Sequence, residues 1–188
     1  MRISIVAASV TALMLCGAPA FAQGAKAKHY SNSLAPYVVS PQHIVDRMLE
    51  LADLKPGETL YDLGSGDGRI LFTAVQRFRA KAVGVEIADE LVRTTNERIL
   101  KLGLQNDARV IHGDLLQADL SPADVVTIYL LTEANELLRP NLEKYLKSSA
   151  RVVSHEYAVP GWKPKLVEKA DPSARGHLIY LYQVPSKK

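Results

Sequence analysis

From residue 37 onward, two hydrophobic patterns follow one another along the chain. Short apolar runs predict buried strands, and stretches with apolar residues three to four positions apart predict amphipathic helices. The predicted strands cover residues 59–63, 82–87, 108–112, 124–130 and 151–155. The predicted helices between them cover 69–78, 89–102 and 133–147, and Pro140 is expected to break the last one.

Two further segments complete the pattern. A first helix is predicted to begin at Ser40-Pro41, where the serine hydroxyl can cap free amides, and to end in the turn at 55–57. Segments 165–169 and 177–184 predict antiparallel strands joined by a turn-rich stretch. Alternating strands and helices with short links imply right-handed crossovers. The expected fold class is therefore a doubly wound, Rossmann-like α/β sheet of about seven strands, mostly parallel with a C-terminal antiparallel hairpin.

The first 22 residues differ from the rest of the chain. Arg2 is their only charge, and an apolar run over 3–16 leads into Ala20-Phe21-Ala22, a signal-peptidase pattern. At about 1.5 Å per residue, this run is too short to cross a bilayer. We therefore expect residues 1–22 to be a cleaved signal peptide that exports the protein, 23–36 to be a flexible tether, and 37–188 to be the domain. The alternative is an uncleaved anchor, because 3–22 is just long enough to span a membrane.

Composition and charge limit the possible functions. The 47% hydrophobic and 23% charged residues argue against disordered, collagen-like and coiled-coil proteins. The net charge of +3 is spread without long runs, so no nucleic-acid partner is expected. The single cysteine, Cys16, would leave with the signal peptide. No metal is expected either, because the five histidines lack the spacing of a ligand pattern; they are His29, His43, His112, His155 and His177.

A glycine-rich segment joins the first predicted strand to the following helix. It reads Asp62-Leu63-Gly64-Ser65-Gly66-Asp67-Gly68-Arg69. Glycines at alternate positions let the backbone turn sharply and approach a ligand closely, and ligands bind at the carboxyl ends of such strands. A dinucleotide fingerprint would need glycine where Arg69 stands, which weakens the alternative of an NAD-linked oxidoreductase.

The segment has the Asp-x-Gly-x-Gly-x-Gly form of class I, seven-strand methyltransferases that use S-adenosylmethionine (SAM), and the chain resembles them from Tyr37 to its end. The resemblance implies that SAM is the cofactor. Glu86 closes the second predicted strand, where a carboxylate can accept hydrogen bonds from ribose hydroxyls. Asp114 follows the third strand, where the family's acidic side chain accepts a bond from the adenine amino group. The cofactor-binding residues implied are Tyr37, Asp62, Gly64, Ser65, Gly66, Asp67, Gly68, Glu86 and Asp114.

A narrower resemblance is to the lysine methyltransferases that act on the mitochondrial adenine nucleotide carrier and the ATP synthase c-subunit, with their bacterial relatives. The segments that carry it are 37–41, 62–70, 129–131, 138–140 and 153–155. It implies methyl transfer to an exposed lysine on a protein, with membrane-associated proteins among the candidates. A small-molecule acceptor and a non-catalytic adenosyl-ligand-binding module are the alternatives. The Asn/Asp-Pro-Pro-Tyr motif of enzymes that methylate amide or adenine nitrogens is absent, since 128–131 reads Ile-Tyr-Leu-Leu.

Methylation of a lysine requires that its amine first lose a proton, because an ammonium with a pKa of about 10.4 has no lone pair. A desolvating aromatic channel would lower this pKa. Tyr129, at the end of the fourth predicted strand, is the candidate wall of such a channel, and Tyr37 is a candidate flap over the cofactor. Glu133 and His155 are the other catalytic candidates. Tyr129 could equally be an ordinary buried aromatic, Glu133 an acid favoured by its helix dipole, and His155 a surface or capped histidine.

Overall fold

A computed structural model of the chain describes residues 37–171 and 177–184. The expected signal peptide and tether therefore lie outside the described residues. The helices are α1 (Gln42–Leu51), α2 (Arg69–Phe78), α3 (Asp89–Lys101) and α4 (Thr132–Tyr145). The strands are β1 (Thr59–Leu63), β2 (Lys81–Glu86), β3 (Ala108–His112), β4 (Val125–Ile128), β5 (Arg151–His155), β6 (Leu166–Lys169) and β7 (Leu178–Gln183), and a short 3-10 turn covers Leu115–Gln117.

The strands form one seven-stranded sheet in the order β3-β2-β1-β4-β5-β7-β6. Strands β1 to β5 are parallel, whereas β7 lies antiparallel between β5 and β6. The fold class expected from the sequence is confirmed. The strand order reverses at β1, whose neighbours are β2 and β4, and open sheets of this kind bind ligands beyond the carboxyl ends of the strands at that reversal.

Two hydrophobic layers enclose the sheet. One contains the apolar faces of α1 and α2, including Ile44 and Leu71, and the other contains α4 residues such as Leu138 and Leu142. Trp162 belongs to the second layer, where its indole nitrogen donates to Glu143 at 2.8 Å. Because these layers cover both faces of the sheet, polar groups can face solvent at its carboxyl edge. Within the described ranges, no helix has both the length and the apolar character needed to cross a bilayer.

Two expectations about helices were wrong. Ser40 does not cap α1, because its hydroxyl lies 2.8 Å from the ring of His155 and α1 has no side-chain cap. Pro140 does not break α4, which is continuous over Thr132–Tyr145. Pro140 is exposed, and so is Glu136, whose carbonyl loses its helical partner at the proline. Water can hydrogen-bond that carbonyl, so the helix continues.

Candidate active site

The loop from β1 to α2 is built on left-handed glycines. Gly64, Gly66 and Gly68 have φ angles of 82°, 52° and 75°, a region that other residues rarely adopt. The amides of Gly64 and Ser65 both donate to the carbonyl of Val85, which ties the loop to β2. A side chain at Gly68 would place its Cβ 2.5 Å from Thr95. The sharp turn expected here is confirmed.

Glu86 lies at the end of β2 with its carboxylate against this loop. One oxygen accepts the amide of Gly66 at 2.8 Å, and the other accepts the amides of Ile87 and Ala88 at 2.9 Å. The residue is only 7% exposed, so these three bonds hold its oxygens in fixed positions. Asp114 follows β3 and caps the 3-10 turn by accepting the amide of Leu116 at 2.9 Å. Because β1, β2 and β3 are parallel neighbours, these acidic side chains lie on the same edge as the glycine loop.

The two aspartates of the motif have different surroundings. Asp62 is 3% exposed and accepts the hydroxyl of Thr127 at 2.8 Å, and burial raises the pKa of Asp62 to about 7. Asp67 is partly exposed and forms an ion pair with Arg69 at 2.6 Å, which lowers the pKa of Asp67. Arg69 also donates to the carbonyl of Ser40 at 2.8 Å. The loop is thereby joined to the segment that precedes α1.

The side chains of Tyr37 and Ser65 pack at different places along the loop. A Cβ on Gly66 would lie 2.8 Å from Cε2 of Tyr37, so the ring of Tyr37 covers that glycine, while 59% of the residue remains exposed. Its role as a flap over the cofactor stays a prediction. The hydroxyl of Ser65 is buried, and a Cβ on Gly84 would lie 2.5 Å from it. Ser65 therefore packs between the loop and β2.

Aromatic side chains gather beyond the ends of β4 and β5. Tyr129 stands just past β4, half-buried, with its ring centroid 4.0 Å from that of His155 and 6.4 Å from that of Tyr157. His155 is fully buried, and desolvation, with a smaller contribution from His177, lowers the pKa of His155 to about 4. Glu133 is exposed in the first turn of α4, and in the described part of the chain no hydrogen bond or ion pair joins it to Tyr129 or His155. Of the three catalytic candidates, the structure brings two into contact.

Sequence reasoning missed three residues of this region. Ser40 contacts Nδ1 of His155, and His177 places its own Nδ1 2.9 Å from Nε2 of His155. Thr127 holds Asp62. His177 could have been found, because it opens the last predicted strand, and antiparallel pairing brings the start of that strand to the end of β5. Ser40 and Thr127 carry no comparable signal.

The residues on this edge fit an adenosyl ligand. The glycine loop can approach a ligand closely, and Glu86 offers fixed acceptors of the kind that bind ribose hydroxyls. SAM, when bound, supplies a methyl group on a positively charged sulfonium. In the protein, Glu86, Asp114 and the glycine loop would hold its nucleoside part.

Comparison with known proteins agrees with this assignment. Residues 62–166 match the family model described as the ANTKMT methyltransferase domain. A protein-lysine N-methyltransferase of Saccharolobus islandicus is 47% identical over 154 residues, which is 81% of this chain and 96% of that protein. The adenine nucleotide translocase lysine N-methyltransferase of Mus musculus is 33% identical over 70% of this chain, which spans only 57% of the mouse protein.

A solved structure supports the assignment of the cofactor. The RNA methyltransferase of Salinibacter ruber, crystallised with S-adenosyl-L-homocysteine (SAH), superimposes with a TM-score of 0.75 at 39% identity, covering 80% of this chain and 96% of that one. The match to a cofactor-product complex confirms SAM as the expected cofactor and removes support from the NAD-linked alternative. The chain belongs to the ANTKMT methyltransferase family and is a SAM-dependent methyltransferase.

Proposed function

We propose that this protein transfers a methyl group from SAM to a lysine side chain of a protein substrate. The 47% identity with the Saccharolobus protein-lysine N-methyltransferase carries the proposal, because it extends over 96% of that relative. The name of the mouse relative also gives a lysine on a protein as its methyl acceptor, although this chain spans little more than half of the mouse protein. An acceptor on a protein is therefore the best-supported class.

The cofactor side of the proposal rests on the three parallel strand ends. Glu86 would accept the ribose hydroxyls, and Asp114 the adenine amino group. Ser65 and the two aspartates of the motif would act mainly by fixing the loop, since Asp62 is buried beneath it and Asp67 is paired with Arg69. Tyr37 would cover the bound nucleoside from the solvent side.

The acceptor side rests on the aromatic residues beyond β4 and β5. Tyr129 and Tyr157 stack with 6.4 Å between ring centroids, and apolar ring faces favour a neutral amine over an ammonium. A lysine lying along Tyr129 would thus have a lowered pKa and an available lone pair. Glu133, exposed in the first turn of α4, would attract the ammonium before it enters. His155 would support the ring of Tyr129 from behind, 4.0 Å away.

An RNA acceptor is the second candidate, because the Salinibacter protein is described as an RNA methyltransferase and is 39% identical. The modest net charge of +3 argues against it, since RNA binding relies on clustered basic residues. A direct comparison of acceptors must decide between them.

The experiment offers SAM with a labelled methyl group and three acceptor pools to the full chain. The pools are soluble proteins and membrane proteins from the native cells, and total RNA from the same cells. Label in protein, located by mass spectrometry on the lysine ε-amine, is the expected result, and its distribution between the two protein pools tests the membrane-associated substrate. Label confined to RNA would overturn the proposal. A Glu86→Ala variant is the control for label that does not depend on the cofactor site.

We also propose that the protein is exported and that residues 1–22 are removed. The apolar run and the Ala20-Phe21-Ala22 pattern support this. Intact-mass analysis of the protein isolated from its native cells should give a chain that begins at Gln23. A chain that retains residues 1–22 and sediments with membranes would support the anchor instead.

A further inference from the structure

Three potential metal ligands converge at the carboxyl end of β5 and the start of β7. Nε2 of His155, Oε1 of Glu156 and Nδ1 of His177 all lie within 4.8 Å of one another. His177 Nδ1 is 2.9 Å from each of the other two atoms, and His155 Nε2 is 3.8 Å from Glu156 Oε1. We propose that these residues form a binding site for a divalent transition-metal ion, with zinc as the reference metal.

The separations between these atoms suit a tetrahedral ion. Zinc bonds imidazole nitrogen and carboxylate oxygen at about 2.0 to 2.2 Å, so two ligands of a tetrahedral site lie roughly 3.3 to 3.5 Å apart. The three separations, 2.9, 2.9 and 3.8 Å, fall on both sides of that value. Shifts of a few tenths of an ångström would therefore complete three positions, and water could take the fourth.

A single proton can satisfy the three ligand atoms when no metal is bound. If His155 donated through Nε2 to Nδ1 of His177, that nitrogen could not donate to Glu156, and two acceptors would face each other at 2.9 Å. The consistent arrangement puts a proton on His177 Nδ1, shared by Glu156 and His155, while His155 Nδ1 donates to the hydroxyl of Ser40 at 2.8 Å. A metal ion that replaced this shared proton would bind the same three atoms, while His155 Nδ1 kept its bond to Ser40.

Ser40 would support this site by accepting a hydrogen bond from Nδ1 of His155. Metal-binding histidines usually donate their second ring N–H to an oxygen, which fixes the tautomer and aims the free lone pair at the ion. Ser40 is buried and His155 is fully buried, so this orientation is held by the core rather than by solvent. His177 and Glu156 have side chains 25% and 26% exposed, which leaves a route for the ion.

The backbone at Glu156 also serves the cluster. Successive side chains of a strand point to opposite faces, so an extended residue after His155 would point away from it. Glu156 instead has a φ of 66°, a left-handed conformation that is uncommon for a residue with a side chain. Its amide donates to the carbonyl of Leu178 at 2.8 Å, which holds this turn against β7. The turn is what brings the carboxylate to the two imidazoles.

The chemistry of the donors indicates the class of metal. Two neutral imidazoles and one carboxylate suit zinc, cobalt or nickel, whereas calcium and magnesium prefer oxygen ligands alone. The spacing of histidines along the chain gave no hint of this site, because His155 and His177 stand 22 residues apart and only the pairing of β5 with β7 joins them.

The test is metal binding to the full chain after treatment with a chelator. We expect calorimetric titration with zinc to show one saturable site, and cobalt to give the intense visible bands of a four-coordinate ion. Either His177→Ala or Glu156→Gln should weaken zinc binding at least tenfold. His43→Ala is the matched control, because His43 is exposed on α1 and outside the cluster, and it should bind zinc like the wild type.

The readout is bound metal, so it does not depend on the acceptor or on methyl transfer. Thermal unfolding of the metal-free variants checks their fold, and both altered side chains are partly exposed, so little loss of stability is expected. If zinc shows no saturable binding, or if His177→Ala binds it as tightly as the wild type, the proposal is overturned and the cluster is a hydrogen-bonded network only.

Discussion

Asp62 makes stability depend on pH in an unusual direction. Burial raises the pKa of Asp62 to about 7 in the folded protein, while an unfolded aspartate titrates near about 3.9. Below both values the carboxyl is protonated in the folded and the unfolded protein alike, so Asp62 does not reduce the free energy of unfolding. As the pH rises from about 4 through about 7, only the unfolded chain releases the proton freely, so the contribution of Asp62 to stability falls.

Asp62→Asn isolates this effect, because asparagine can still accept the hydroxyl of Thr127 and does not titrate. Between pH 5 and pH 8 the wild type should lose about 2 to 3 kcal/mol of unfolding free energy relative to the variant. Urea denaturation of both proteins at the two pH values measures the difference. Identical pH dependence of the two would show that Asp62 is ionised throughout.

Tyr37 offers a second test at the residue scale. Its ring covers Gly66 while 59% of the residue is exposed, so removing the ring should affect the ligand more than the fold. Tyr37→Ala should weaken SAH binding about 5- to 30-fold, corresponding to roughly 1 to 2 kcal/mol of lost apolar contact. Tyr37→Phe keeps the ring and should bind like the wild type. Calorimetry gives both affinities, and unchanged binding in Tyr37→Ala would exclude the flap.

The residues that sequence reasoning placed correctly are those whose local backbone dictates their type. The alternate glycines of the loop fall into this group, whereas Glu86 was identified by its position at the end of a predicted strand. Ser40 was misassigned, because a serine before a helix is a cap on local grounds, and only the fold shows that His155 lies close enough to compete for its hydroxyl. Its partner is 115 positions away in the chain, beyond any local pattern.

At the scale of elements, β2 and the cofactor loop are packed without spare room at Gly84. The φ of Gly84 is not left-handed, yet a Cβ there would lie 2.5 Å from the hydroxyl of Ser65 and 2.9 Å from Leu71. Gly84→Ala should therefore cost about 1 to 3 kcal/mol of stability by overpacking. It should also weaken SAH binding by displacing Ser65.

Gly113→Ala is the control for stability, since a Cβ at Gly113 meets nothing within 4 Å. Denaturant unfolding of both variants makes the comparison, and we expect Gly113→Ala to stay within about 0.5 kcal/mol of the wild type. Equal stability of the two variants would mean that the loop moves freely relative to β2.

Helix α4 contains Pro140 and is continuous through it. Pro140 removes one helical hydrogen bond while remaining exposed. Pro140→Ala restores an N–H for the carbonyl of Glu136 but makes the unfolded chain more flexible, so the net gain should be about 1 to 2 kcal/mol. Thermal unfolding checks this, with Glu136→Ala as a neutral control on the same helix. A lower midpoint for Pro140→Ala would show that the proline stabilises the helix.

Element type was easier to predict than element ends. Periodicity identified each strand and helix, because burial on one face or both leaves a regular pattern. The apolar run 124–130 continues beyond β4, which ends at Ile128, so Tyr129 belongs to the site rather than to the sheet. An apolar run in the sequence does not indicate where the hydrogen bonding between strands ends.

For the molecule as a whole, the segment before α1 links the two halves of the active edge. The carbonyl of Ser40 accepts a hydrogen bond from Arg69, which follows the glycine loop, and the hydroxyl of Ser40 contacts His155. Tyr37 lies over Gly66 in the same segment. One short stretch of chain therefore contacts both the glycine loop and His155, which packs against Tyr129.

Ligand binding at this edge should be visible as stability of the entire domain. A ligand at 100 times its dissociation constant adds about 2.7 kcal/mol, which should raise the unfolding midpoint by roughly 5 to 11 °C with SAH. Glu86→Ala removes the fixed acceptors and should abolish the shift, whatever it does to the midpoint without ligand. Glu97→Ala removes an exposed carboxylate on α3 that pairs with Arg93, and this variant should keep the full shift. A full shift in Glu86→Ala would contradict the expectation that Glu86 binds the ribose.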